Sequence, residues 1–183
     1  MGLKIDKNSM DEKDRYLNLP LINRSKEIYI NPNEEGWEKR YYKVLFKVEK
    51  SENDIKNIVY NYLEGLEWTL KYYTTGCVDW EWYYKYNYPP LLNDIKPFIP
   101  YFDIEFLKDK NNNPIDSQLQ LAYVLPYDNI DLLNKNIQKK ILLNVEDPSY
   151  DINLEYSYCR YIWEAHITGN FLNLKELKNI VEK

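Results

Sequence analysis

An aromatic-rich stretch at residues 77–94 carries the side chains with the clearest chemical potential in this sequence. Bases of single-stranded RNA stack on aromatic rings for about 1–3 kcal/mol each, and two adjacent prolines, Pro89 and Pro90, predict an ordered loop rather than a regular element. The loop is either a base-stacking platform or an aromatic core packed beneath a long loop, and composition alone favours the packed core. Its aromatic residues are Trp80, Trp82, Tyr83, Tyr84, Tyr86 and Tyr88.

Acidic side chains flank this loop and are candidates for a metal site. A two-metal nuclease needs several carboxylates that converge on two ions about 4 Å apart. Asp79, Glu81 and Asp94 lie in the right stretch, but solvent exposure or loop capping is the favoured interpretation of all three. The sequence therefore predicts neither a metal site nor catalytic residues in this chain.

Histidine and cysteine offer little support for other chemistry. His166 is the single histidine and is expected to be a structural residue, so a His-dependent triad has little support. Cys77 and Cys159 form no C-x-x-C pair, which argues against zinc, while a disulfide between them stays open. The sequence contains no phosphate-binding glycine loop and no H-E-x-x-H motif.

Length and charge narrow the class of protein. The 183 residues are typical of one domain. A net charge of −5 argues against strong RNA binding by this chain alone, because autonomous RNA binders usually present a basic face. Neither a membrane-spanning run nor a signal peptide is visible. We therefore expect an intracellular protein without a membrane partner. The sequence does not distinguish the cytoplasm from the nucleus as its compartment.

The pattern of apolar residues predicts a mainly α fold with a few short strands. Residues 1–35 are expected to be a poorly ordered arm, with one short docked piece near 28–30, and residues 36–183 a single helical domain. Helices are predicted at 36–46, 118–125, 129–143 and 172–181, and a loop at 109–114. Residues 102–107 are predicted to be extended, and residues 156–167 to form a strand.

The clearest helix begins after Ser51, which pairs with Asp54 as a capping box. Gly65 lies inside this helix at a cost of roughly 1 kcal/mol relative to alanine, which indicates close packing at that point. Gly76 is placed to cap its end, and Trp68, just off the apolar stripe, is predicted to be structural. The stripe consists of Ile55, Ile58, Val59, Tyr62, Leu63, Leu66, Leu70 and Tyr73.

Five blocks of the chain, in order and at compatible spacing, resemble the second conserved segment of Xrn-type 5′-to-3′ exoribonucleases. The longest is similar to the family pattern G-x-x-S-W-x-W-Y-Y-P-Y-H-Y-A-P-x-x-S-D. Departures from that pattern include Lys85 for proline, Asn87 for histidine and Asp79 for serine, so the polar chemistry of the loop has drifted. The blocks lie at 36–46, 62–73, 76–94, 120–126 and 163–165.

This resemblance implies that two segments of the enzyme have different functions. Xrn enzymes degrade 5′-monophosphorylated RNA, and their Mg²⁺ ligands and basic phosphate pocket lie on a separate N-terminal nuclease segment that has no counterpart here. The second segment walls the site, and a tryptophan of its loop stacks on a substrate base; Trp80 and Trp82 are equal candidates. The residues expected to contact RNA are Trp80, Trp82, Tyr84, Tyr86 and Asn87.

Three functions follow as hypotheses. The first is the non-catalytic helical domain of a 5′-to-3′ exoribonuclease, working with a separately encoded nuclease segment that supplies the Mg²⁺ and with 5′-monophosphorylated RNA as shared substrate. The second is a stand-alone module for RNA or protein. The third is an inactive remnant. A basic patch near the aromatic loop would favour the module, and a large apolar face would favour the subunit.

Overall fold

The computed structural model describes residues 18–107, 113–145, 152–169 and 173–182. These residues form a mainly helical fold with one two-stranded sheet, which confirms the predicted class. Its helices are α1 (Ser25–Ile30), α2 (Trp37–Leu45), α3 (Glu52–Thr74), α4 (Leu92–Ile95), α5 (Ser117–Val124), α6 (Lys135–Asn144) and α7 (Leu174–Glu182). Short 3₁₀ turns lie at Lys96–Phe98, Tyr127–Leu132 and Ile162–Glu164. No helix within these ranges has the length and apolar character needed to cross a membrane.

Helix α3 is the long element on which the candidate site depends. It begins where the capping box of Ser51 and Asp54 was predicted, with both hydrogen bonds of the box present. It ends at Thr75 and Gly76, whose N–H groups both bind the carbonyl of Lys71. Gly76 has a φ of +103°, a conformation that strongly favours glycine and confirms its predicted capping role.

The apolar stripe of α3 is buried only along its first half. Ile55, Ile58 and Val59 lie in the core, whereas Leu66, Leu70 and Tyr73 are 53%, 65% and 81% exposed. The stripe therefore leaves the core and continues along the surface.

Two buried clusters organise the described residues. One joins α1, α2, the first half of α3, Tyr88 of the aromatic loop and α4. The other joins α5, the Tyr127–Leu132 turn, α6 and α7. The aromatic loop thus contributes to the same core as the first half of α3, and its position is tied to that core.

The predicted helix at 129–143 is wrong as a single element. The chain forms the Tyr127–Leu132 turn, then an extended break, then α6. Asn134 causes the restart, because its side chain accepts the backbone N–H of Ile137 at 2.9 Å as an N-terminal cap. The helix predicted at 118–125 corresponds to α5, and the one predicted at 172–181 corresponds to α7 from Leu174 onward, with residue 172 outside the described ranges. Residues 102–107 carry no regular secondary structure. Of the predicted loop at 109–114, residues 109–112 lie outside the described ranges.

The strand predicted at 156–167 is also wrong. Strands β1 (Ile152–Glu155) and β2 (His166–Gly169) pair antiparallel, with Ile152 opposite Gly169, and most of the predicted segment is the loop between them. The carboxylate of Glu164 accepts backbone N–H groups of Arg160 and Tyr161, so these groups serve a local turn instead of a ladder.

The N-terminal part of the chain docks on this hairpin loop. Arg24 donates to the carbonyl of Cys159 at 2.5 Å, Glu27 accepts the N–H of Tyr158 at 2.8 Å, and Lys26 pairs with Glu155. Ile30 is fully buried, so a docked piece lies where one was predicted. Residues 1–17 lie outside the described ranges, and the boundary predicted at residue 36 stays a prediction.

Candidate functional site

The aromatic loop leaves α3 at Cys77 and reaches α4 at Leu92 without regular secondary structure, as predicted. Its order comes from side chains of other elements that bind its backbone. Trp68 of α3 donates its indole N–H to the carbonyl of Asp79 at 2.8 Å. The Asp79 carboxylate then accepts the N–H of Glu81 at 2.8 Å, which closes a tight turn around Trp80.

A second anchor holds the loop six residues further on. Asn61 of α3 is buried, and its side-chain oxygen accepts the N–H of Lys85 at 2.9 Å. Its amide group donates to Glu64 at 3.0 Å, so both halves of the Asn61 side chain are used. The segment 79–85 is therefore fixed to one helix at both ends.

Trp82 fills the space between the two anchors. Its ring lies over Gly65, where a Cβ atom would come within 2.7 Å of Trp82 Cη2. Its other neighbour is Trp68, whose ring is stacked at 5.9 Å between centroids, and Trp68 in turn stacks on Tyr72 at 5.2 Å. The close packing predicted at Gly65 is therefore present, and Trp82 is its cause.

The five residues predicted to contact RNA occupy different positions. Trp80, at 41% exposure, and Asn87 lie at the surface. Trp82, Tyr84 and Tyr86 pack against other rings, and the Tyr84 hydroxyl donates to the carbonyl of Tyr88 at 2.8 Å. The loop is thus partly a packed core and partly a surface, and RNA contact by any of the five stays a prediction.

Tyrosines of α2 hold the far end of the loop. The hydroxyl of Tyr41 donates to the carbonyl of Pro89 at 2.9 Å, and burial raises the pKa of Tyr41 to about 12. The Tyr42 hydroxyl donates to Asp94 at 2.8 Å and accepts the N–H of Leu91 at 3.0 Å. Burial also raises the pKa of Tyr42, so both hydroxyls remain donors well above neutral pH.

Two of the three flanking acidic residues, Asp79 and Asp94, have structural roles. Asp79 caps the turn at Glu81, and Asp94 binds both Tyr42 and the ammonium group of Lys50, the latter at 3.2 Å. Within the part of the chain that the structure describes, no group of three or more His, Cys, Asp or Glu side chains is arranged to hold a metal ion. Asp79 and Asp94 are thus engaged in hydrogen bonds and an ion pair that hold the loop.

The single histidine and the two cysteines were the remaining candidates for reactive side chains. His166 contacts Tyr88 edge-on at 5.3 Å between ring centroids, which agrees with a structural role. Cys77 and Cys159 are both free thiols, so the disulfide that the sequence left open is not formed.

Ion pairs also shape the charge beside the loop. Lys71 of α3 binds Glu67 at 2.5 Å and Glu105 at 2.7 Å, so its ammonium group is largely neutralised. Burial alone would raise the pKa of Glu67. Hydrogen bonds from Lys71 and from the N–H groups of Phe106 and Leu107 outweigh burial and lower it below its ordinary value.

Sequence reasoning missed Asn61. A polar residue that lies four positions before a mid-helix glycine and seven before a tryptophan shares one helical face with both. That spacing from Gly65 and Trp68 is the signal that identifies a docking face for a neighbouring loop.

Comparisons with known proteins cover most of the chain. The model of a family described as the Xrn1 helical domain matches residues 24–177. The chain is 31% identical over 163 residues to 5′-3′ exoribonuclease 1 of Saccharomyces cerevisiae, which is 85% of this chain and 10% of that protein. It is 33% identical over 159 residues to 5′-3′ exoribonuclease 2 of Aspergillus fumigatus, covering 82% and 14%. For 5′-3′ exoribonuclease 2 of Gallus gallus the identity is 28% over 156 residues, covering 82% and 16%. The chain thus spans less than a fifth of the length of each of these relatives.

Proposed function

Because this chain belongs to the Xrn family of 5′-to-3′ exoribonucleases as a helical domain, we propose that it works as a non-catalytic part of such an enzyme. Its partner is a separately encoded nuclease segment that supplies the Mg²⁺ site. The substrate of the assembled enzyme is RNA with a 5′-monophosphate. Apolar surface on α3 is the observation that carries this proposal.

That surface is the exposed second half of the α3 stripe. Leu66, Leu70 and Tyr73 follow one another at helical spacing from residues that are buried in the core. Soluble monomers rarely expose contiguous apolar patches larger than a few hundred Å². A stripe that starts in the core and stays apolar on the surface is typical of a helix that is covered by another segment.

A second apolar stretch lies beside the same helix. Residues 99–104 expose Ile99, Tyr101, Phe102 and Ile104. The stretch is tied to α3 just downstream, where Phe106 and Leu107 donate to Glu67 and where Glu105 pairs with Lys71. Aromatic side chains are enriched at protein interfaces, and an obligate interface of this type buries on the order of 2,000 Å² or more. Both apolar features support a protein partner.

The aromatic loop supplies the proposed contact with RNA. Trp80 is 41% exposed and lies in a turn whose backbone is hydrogen-bonded on both sides, which supports its availability to a base. Stacking of this kind contributes about 1–3 kcal/mol per base and tolerates any sequence. Trp80 is therefore the first of the five candidates to test.

The test is co-expression with a nuclease segment from the same genome, followed by size-exclusion chromatography and decay of 5′-monophosphorylated RNA. Leu70→Glu places a charge in the exposed stripe. Leu143→Glu is the matched control, because Leu143 is a helical leucine on α6 that is at least as exposed as Leu70. We expect the wild type and the control to co-elute with the segment and to support decay, and Leu70→Glu to lose both.

Other outcomes separate the alternatives. A stable monomer that neither associates with the segment nor supports decay contradicts the proposal. If that monomer binds single-stranded RNA or another protein, the stand-alone module replaces it. If it binds neither, the chain is an inactive remnant.

A further inference from the structure

We propose that Asn61, Gly65 and Trp68 are positioning residues that set the orientation of Trp80 for base stacking. The inference rests on the proposed role of Trp80 in RNA handling and adds the residues through which that role is controlled. None of the three is proposed to touch RNA. They act on Trp80 through the loop backbone and through Trp82.

The three residues form one face of α3 and make three different contacts with the loop. At spacings of four and then three they lie one above another along the helix. Asn61 binds the N–H of Lys85, and Trp68 binds the carbonyl of Asp79. Between them, the absence of a side chain at Gly65 lets Trp82 lie directly on the helix.

These contacts decide which aromatic rings of the loop point outward. With the backbone held at Asp79 and Lys85 and the Trp82 ring held against α3, the intervening chain has little freedom to rotate. Trp80 and Tyr83 are the exposed aromatic residues of this segment, whereas Trp82 and Tyr84 are half-buried. The hydrogen bond from Glu81 to the Asp79 carboxylate fixes the turn at Trp80 itself.

A tryptophan ring that is preorganised for stacking binds an RNA base more tightly than a mobile ring does. Ordering a flexible side chain and its loop on binding opposes association, and a ring that is already held avoids that cost. Loss of one anchor is therefore expected to weaken RNA handling by roughly two- to tenfold through the apparent KM, with kcat little changed, because the contact is made equally in the ground and transition states.

The first experiment needs no partner and no RNA. The chain is labelled with 5-fluorotryptophan, and the ¹⁹F resonance of Trp80 is assigned by its loss in Trp80→Phe. Trp68→Phe keeps an aromatic ring but removes the indole N–H, and Asn61→Ala removes the other anchor without changing any ring. We expect both variants to broaden or shift the Trp80 resonance. Trp163→Phe, at an exposed tryptophan stacked on Tyr161, is expected to leave it unchanged.

The second experiment uses the co-purified enzyme and 5′-monophosphorylated RNA. We expect Trp80→Ala and Trp68→Phe each to raise the apparent KM, and Trp68→Phe to have no further effect in a Trp80→Ala background. An unchanged Trp80 resonance in both anchor variants overturns the positioning role while leaving the proposed function intact. A Trp68→Phe effect that persists without Trp80 also overturns it. Wild-type decay by Trp80→Ala removes the proposed role of Trp80, and the inference with it.

Discussion

Replacing Gly65 by alanine is predicted to have opposite effects on stability depending on the residue at position 82. In a helix interior this substitution normally stabilises by about 1 kcal/mol. Here the added Cβ would lie 2.7 Å from Trp82 Cη2 and 3.3 Å from Cζ2, whereas carbon atoms prefer a separation of about 3.5–4.0 Å. The ring must therefore move by roughly 1 Å.

The surroundings oppose that movement. The Trp82 ring is stacked on Trp68, and Trp68 is held by its hydrogen bond to Asp79. Overpacking of this kind costs about 1–3 kcal/mol. The gain in helix propensity offsets part of that cost, so we expect Gly65→Ala to lower the free energy of unfolding by about 0–2 kcal/mol.

In a Trp82→Leu background the same substitution should stabilise the protein by about 1 kcal/mol. Leucine lacks the six-membered ring that supplies all three atoms near Gly65, so the overlap disappears. The interaction free energy between the two positions is then about 1–3 kcal/mol, which equals the cost of the overlap between the added Cβ and the Trp82 ring.

Urea denaturation of the wild type, the two single variants and the double variant measures this quantity directly. If Gly65→Ala stabilises the protein by the same amount in both backgrounds, Trp82 does not pack on Gly65 and the positioning argument loses its central contact.

Three further predictions concern activity, the two tryptophans and pH. Purified chain should not degrade 5′-phosphorylated RNA in the presence of Mg²⁺, since the described residues hold no metal-binding cluster; metal-dependent decay that co-purifies with the chain would contradict this. Trp68→Ala should lower the free energy of unfolding by about 3 kcal/mol, because it removes stacking and a hydrogen bond, whereas exposed Trp80→Ala should change it by less than about 0.5 kcal/mol; equal losses in urea denaturation would favour a core role for Trp80. Because the pKa of Glu67 is lowered in the folded protein, its contribution to the free energy of unfolding is complete above the unfolded pKa of about 4.3 and is lost as pH falls through the lower folded pKa. Glu67→Gln should therefore reduce the loss of stability at acidic pH in urea denaturation, and Glu35→Gln, at an exposed position, should not.

Local signals explain which elements of the fold were predictable. Helix α3 was found because the Ser51–Asp54 capping box, the apolar period and Gly76 all lie within the element that they define. The restart of the chain at Asn134 was missed because Leu132 and Leu133 continue the apolar period across the break. The cap signal of Asn134 therefore lies inside a continuous apolar pattern, which conceals the break.

The hairpin near the C-terminus could not be predicted from its own residues. The segment 156–167 is rich in aromatic and apolar side chains, which is typical of a strand. Its backbone is instead held by Glu164 within the segment and by Arg24 and Glu27 from α1. Tertiary contacts from residues more than 130 positions away overrode the local preference.

The candidate site was predictable in location but not in orientation. Aromatic density and the family resemblance identified the loop and left Trp80 and Trp82 equivalent. Their difference arises on another element, because Gly65 accepts the ring of Trp82 and Trp68 holds the turn that exposes Trp80. No pattern within the loop itself carries that information.

The docking of α1 on the hairpin loop also has a consequence for synthesis of the chain. Arg24 and Glu27 find their partners at Cys159 and Tyr158, which are 135 and 131 residues further along. At about 5–20 residues per second, α1 is synthesised roughly 7–27 s before those partners. During that interval its partners are earlier parts of the chain: the buried cluster that Ile30 joins, and α2, whose Arg40 side chain donates to the carbonyl of Ile30 at 3.0 Å. Closure of the two distant parts of the chain is therefore a late step, and its long loop makes it a slow one.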